Sequence, residues 1–132
     1  MTAIQLFITI LVIHFLADFG LQTHEQATRK GEGPGFWNRW LAYHVGVYTL
    51  VWGVVFFFLP LHPGIQNIGG WVVFCLLIGI PHYLTDWVTS RLSKPFFNSG
   101  DFHNGFVVVG ADQVIHYLCL IWVLFNTVNL IQ

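Results

Sequence analysis

His82-Tyr83-Leu84-Thr85-Asp86-Trp87 lies inside the apolar stretch from Gly70 to Val88, and it repeats His14-Phe15-Leu16-Ala17-Asp18-Phe19, which lies inside the stretch from Ala3 to Leu21. An ionisable side chain at mid-membrane costs roughly 2.5–3.5 kcal/mol on insertion scales. A His and an Asp one helical turn apart, kept twice at that cost, therefore read as a site. Sliding the chain against itself by 68 positions also carries His44 onto Asp112 and Tyr48 onto His116. The spacing predicts two copies of a helical hairpin, about residues 1–62 and 70–130, as a parallel repeat about an axis along the membrane normal.

Around these phrases the 132 residues are 55% hydrophobic and 8% charged, against roughly 25% charged in an average soluble domain. Two further apolar stretches, Trp40 to Leu59 and Phe106 to Leu130, complete a set of four, each near the roughly 20 residues of a spanning helix. The expected fold is all-α: a polytopic membrane protein of four transmembrane helices forming one bundle, a single domain over residues 1–132. Met1 to Ala17 has neither a basic start nor a small-residue cleavage pattern, so it is read as helix one and not as a signal peptide.

All five basic residues fall between the stretches: Arg29, Lys30 and Arg39 in the first loop, Arg91 and Lys94 in the third, none in the second from Pro60 to Gly69. The positive-inside rule then puts loops one and three in the cytoplasm and both termini outside. Trp37, Trp40 and Trp87 stand where an interfacial aromatic belt is expected. The formal net charge of −1 gives no footprint for nucleic acid. Cys75 and Cys119 lack a paired spacing and read as small apolar packing residues.

Depth follows from a rise of 1.5 Å per residue. Asp18 and Asp86, with His44 and Asp112, fall near the basic-loop end, and His14, His82 and His116 about one turn deeper. Asp112-Gln113-Val114-Ile115-His116 reverses the order of the other two phrases, as an antiparallel helix must to place its Asp and His in the same layers. No Lys or Arg lies within the stretches to balance three carboxylates. The remaining sources of positive charge are imidazolium, a protonated Asp, or a bound cation. A divalent ion held by carboxylates and neutral imidazoles satisfies both charge and lone pairs.

His14, Asp18, His44, His82, Asp86, Asp112 and His116 are accordingly the candidate ligands. Without thiolates they suit Zn, Mn or Fe, and seven exceed the four of a closed structural zinc site. One or two ions with open positions would let Asp18, Asp86 or Asp112 serve as proton-transferring groups beside an activated water. Gln22, Gln113 and Tyr48 are candidates to orient the ligands. His–Asp pairs can also simply tie membrane helices together, but such a tie needs two helices and here four contribute.

His24, His62 and His103 read as surface loop residues, and Glu25 as a solvated charge. Gly31-Glu32-Gly33-Pro34-Gly35 reads as a flexible turn, since it follows no strand and lacks a Lys-Ser/Thr ending. Lys30, Arg91 and Lys94 can contact an anionic head group as well as set orientation. Gly46 and Gly53 mark a close helix contact, within the bundle or between two copies of the chain.

Through His14-Phe15-Leu16-Ala17-Asp18-Phe19-Gly20-Leu21-Gln22-Thr23, His44, His82-Tyr83-Leu84-Thr85-Asp86 and Asp112-Gln113-Val114-Ile115-His116, the chain resembles small bacterial and phage integral-membrane proteins grouped as domain of unknown function 3307. That resemblance implies a bacterial inner membrane and names no activity. His82-Tyr83-Leu84-Thr85-Asp86 alone is similar to a phrase in predicted membrane-bound metal-dependent hydrolases, which implies a metal before it implies hydrolysis.

Four function classes remain open on the sequence. The first is a metal-dependent hydrolase of a lipid-like phosphoester or ester, its partners the bilayer and a lipid-like or phosphorylated small substrate. The second is proton or metal-ion translocation through the same cluster. The third is a bis-imidazole haem bundle, against which the paired Asp residues argue. The fourth is a structural or interaction subunit, and a chain this small is open to homo-oligomerisation.

Overall fold

The computed structural model describes residues 3–58 and 68–129. Its elements are α1 (Ala3–Phe15), a π-helical turn (Leu16–Gly20), α2 (His24–Arg29), α3 (Arg39–Phe58), α4 (Ile68–Asn98) and α5 (Phe102–Asn129), with no strand among the described residues. Three helices, α3, α4 and α5, are long and apolar enough to cross a membrane, and the first apolar helix, Ile4–Gly20, is shorter. The second loop, with His62, lies outside the described residues.

Each long helix turns one stripe inward. On α4 the buried residues include Phe74, Ile78, His82 and Asp86, four apart, and on α3 they include Leu41, His44, Val45, Tyr48, Trp52 and Phe56. This is the spacing of a single helix face. The opposite faces carry Leu50, Val54, Leu76, Ile80, Leu84, Leu118 and Trp122, large apolar residues left exposed, as a lipid-facing surface requires. Helix contact in lipid comes from close packing. Two glycines supply it: a Cβ on Gly53 would lie 3.1 Å from both Cys75 Sγ and the Trp71 ring, and one on Gly79 would lie 2.8 Å from Thr49 Oγ1. The Gly53 contact is therefore within the bundle, whereas nothing lies within 4 Å of a Cβ on Gly46. Cys75 and Cys119 are both free thiols, half-buried.

The bundle divides along its length. The half away from the first and third loops is a hydrophobic core of Ile10, Trp52, Phe56, Phe74, Ile78, Leu120, Val123 and Leu124, with Phe56 and Phe74 stacked at 3.8 Å. The other half holds the polar residues.

Two loop expectations are corrected. Helix α4 runs to Asn98, so Arg91 and Lys94 are helical residues and not loop residues. The chain reverses only at Gly100, at φ +80, where Gly100 N–H reaches Phe97 O and Asp101 N–H reaches Phe96 O. This is a glycine C-cap. Likewise His24 opens α2 and His103 lies in the first turn of α5, both exposed. The Gly31–Gly35 stretch is fastened to α4: Arg91 donates to Gly33 O and Gly35 O, Trp87 Nε1 to Gly35 O, and Tyr83 Oη to Phe36 O. Asn38 completes the tie, since its carboxamide oxygen caps α3 at Trp40 N and Leu41 N while Nδ2 holds Arg29 O and Glu32 O.

Candidate metal centre

Local backbone features deliver the polar residues to one point. In the π turn after Phe15, Leu21 N–H bonds Leu16 O, five residues back, and Ala17 and Asp18 are both buried. Such wide turns recur at functional sites. On α4, Pro81 precedes His82 and cannot donate to the carbonyl of Leu77, which loosens the helix where it enters the site.

His44 is the centre of the cluster. Its Nε2 lies 2.9 Å from Asp18 Oδ1, 3.1 Å from Asp86 Oδ2 and 3.2 Å from His82 Nε2. His82 Nε2 in turn lies 3.5 Å from Asp18 Oδ1 and 3.7 Å from Asp86 Oδ2. These are five of the six edges of a tetrahedron. Ligands about 2.0–2.1 Å from a tetrahedral ion stand about 3.3–3.4 Å apart, so the four donor atoms have the spacing of a first coordination shell. All four residues are buried, at 2% exposure or less. A ring hydrogen on His44 Nε2 satisfies one of its three neighbours and leaves the others facing it.

The other three sequence candidates border this set. His116 lies with Asp86 and Asp112 in one group that could hold an ion and with His14 and Asp18 in another. Its two ring nitrogens, like His82 Nδ1 and Asp86 Oδ1, are buried without a hydrogen bond. The His82 ring is instead clamped flat between Tyr48 at 3.8 Å and His116 at 4.1 Å.

His14 and Asp112 have partners already. Gln113 Nε2 donates to Asp18 Oδ2 at 2.7 Å and Asp112 Oδ2 at 3.0 Å, and its Oε1 faces His14 Nε2 at 3.1 Å. The reverse amide orientation would set a carbonyl against two carboxylates, so His14 Nε2 carries the hydrogen and donates. His14 Nδ1 is then the acceptor for Tyr48 Oη, 3.0 Å away. Asp112 Oδ1 is in hydrogen-bond contact with Thr89 Oγ1. Gln22 Nε2 reaches Asp18 O at 3.2 Å and His44 Nδ1 at 3.4 Å.

The expectation that no lysine reaches the carboxylates is wrong. Lys30 Nζ lies 3.0 Å from Asp86 Oδ2, with its side chain 16% exposed. Burial works against its charge, but Asp86, Asp18 and Asp112 outweigh it and hold its pKa above the ordinary lysine value. The lysine arrives because α2 and the turn after it fold back over the bundle end. Thr23 starts α2 with a reciprocal capping box to Gln26, and Gly31 lies flush on α4. A Cβ at Gly31 would stand 2.8 Å from the backbone oxygen of Ser90. Gly31→Ala should therefore lift the turn, separate Lys30 from Asp86 and lower stability by about 1–3 kcal/mol, as read from thermal unfolding in detergent. An unchanged melting temperature would contradict this packing.

Beside the cluster, at the loop end, is a cavity of about 410 Å³. Asp18, Asp112 and Gln113 form its floor toward the cluster, and Lys30, Ser90 and Lys94 are among its walls. The family model described as Protein of unknown function (DUF3307) matches residues 6–132. No curated protein and no solved structure matches the chain.

Proposed function

The chain belongs to the DUF3307 family of proteins of unknown function, and on that footing we propose that it is an integral-membrane metalloprotein whose centre binds a divalent ion through Asp18, His44, His82 and Asp86. The observation that carries this reading is the close approach of four buried donor atoms from three helical segments, with five of their six separations between 2.9 and 3.7 Å. His116, with Asp86 Oδ1 and Asp112, offers places for a second ion or for open positions. Zn, Mn and Fe are the metals this nitrogen and oxygen set suits. In this reading all four apolar helices cross the bilayer, with the loop end at the cytoplasmic face.

The reaction we assign is hydrolysis of an ester or phosphoester bond in a lipid-like substrate. A divalent ion supplies Lewis acidity and activates water. Water adds across the bond, giving an alcohol and an acid. Asp112, at the cavity floor, would accept the proton that water loses and return it to the departing alcohol oxygen, and Gln113 keeps Asp18 and Asp112 oriented while fixing the tautomer of His14. Ion translocation has less support, because the far half of the bundle is filled by Trp52, Phe56, Phe74, Leu120 and their neighbours.

Elemental analysis of protein purified in detergent, before and after chelation and reloading with Zn, Mn or Fe, tests the centre. About one to two ions per chain are expected, removable by chelator, with hydrolysis of a short-chain phosphoester returning only on reloading. Protein that stays metal-free through reloading would overturn the assignment.

A further inference from the structure

The cavity beside the cluster has features the ligand set does not use. Its wall combines Phe19, Phe97 and Val109 with Lys30 and Lys94. The basic residues of the chain are otherwise committed: Arg29 to Glu32 and the Trp40 ring, Arg39 over the same ring, Arg91 to three carbonyls and the Trp87 ring, and Lys30 to Asp86. Lys94 is the exception among the described residues, half-buried on the cavity wall with no hydrogen bond or ion pair. It stands on the α4 face of Ser90 and Asn98, one turn from each.

Lys94, half-buried along the cavity wall with its charge unpaired, offers an anion a cationic contact there. The aromatic and aliphatic residues on the same cavity wall call for an apolar portion attached to it. A volume of about 410 Å³ is within the roughly 300–1,000 Å³ of ligand sites, ample for a head group while acyl chains remain in lipid. The Asp18 and Asp112 floor would repel a free anion. With an ion in the adjacent centre, phosphate oxygens gain a cation on that side too, which selects a group of several oxygens over a single carboxylate.

We propose that this cavity binds the phosphate monoester head group of an amphiphile, with Lys94 as its cationic contact on the wall and Lys30 beside the metal centre as the second. The assignment rests on the metal-centre reading and names the substrate class of that site. Lysine serves here as a point charge for phosphate.

Isothermal titration of the purified protein in detergent with dihexanoyl phosphatidic acid tests it, with inorganic phosphate and dihexanoyl phosphatidylcholine as comparators. Metal content is measured on the same samples. The expected result is tighter binding of phosphatidic acid than of either comparator, a loss of about tenfold or more in Lys94→Gln and recovery in Lys94→Arg. Equal binding of phosphatidylcholine, or an unchanged affinity in Lys94→Gln, overturns the proposal. Equal binding of inorganic phosphate assigns the cavity to free phosphate and overturns the amphiphile. Because Lys94 is not among the centre's donors, its variants should keep their metal, so failure of the head-group site and absence of the metal are read separately.

Discussion

Asp86→Asn is expected to lower divalent-ion affinity by at least about 100-fold, beyond the roughly 10–100-fold cost of losing an orienting partner in a metal site. Asp86 is fully buried, and its Oδ2 serves Lys30 at 3.0 Å and His44 at 3.1 Å. The amide keeps the shape and removes the charge. It would leave the Lys30 ammonium buried against a neutral group, a change that typically costs about 3–5 kcal/mol when one partner of a buried pair is removed. Folding must therefore be read beside metal content. Asp112→Asn is the informative comparison, because Asp112 carries the same charge but lies outside the set of Asp18, His44, His82 and Asp86. Its contacts with Gln113 and Thr89 can be partly kept by an amide, and its loss of affinity should be smaller, about tenfold. Wild-type affinity in a folded Asp86→Asn, or a larger loss in Asp112→Asn, would show that the four donor atoms are not the ligands.

The parts of this site legible in the sequence are those set by local periodicity. His14 and Asp18, His82 and Asp86, and Asp112 and His116 are each one turn apart, and a helix has no way to separate such pairs onto opposite faces. Their apolar surroundings marked them as buried. What periodicity cannot show is where a loop returns. Lys30 was legible as a basic residue between two spans, but its position depends on how a capping box and a turn held by Asn38 combine with a glycine flush against Ser90, a contact distant in sequence.

Gln113 was legible as a residue to orient the candidate ligands, yet only three-dimensional contact shows it serving Asp18, Asp112 and His14 at once. For the same reason His14, equal to His82 in the repeat, differs from it in surroundings. His14 is hydrogen-bonded to Tyr48 and Gln113, while His82 is stacked between Tyr48 and His116, with its Nδ1 left without a hydrogen bond. The helix ends were the least legible feature. Basic residues after Val88 suggested a loop, but α4 continues past them because its capping glycine comes only at Gly100.

Lys30→Met should act in the opposite direction from Asp86→Asn. The ammonium and a divalent ion compete for the same carboxylate oxygen, Asp86 Oδ2. Methionine preserves much of the lysine stem's packing without the charge. Without metal, the variant leaves Asp86 and its neighbours with less positive charge around them, and a fall in stability of about 3–5 kcal/mol is expected. With metal, the competitor is gone, and affinity should rise about tenfold, near 1.4 kcal/mol. Because a ligand that binds only the folded state adds stability in proportion to the logarithm of its concentration over Kd, the shift in melting temperature on adding metal should be larger in Lys30→Met than in the wild-type chain. A folded Lys30→Met that binds metal more weakly would mean that Lys30 supports the ion instead of standing in for it. The cluster would then be held together by the Lys30–Asp86 pair itself, and the lysine would belong to the structure of the bundle.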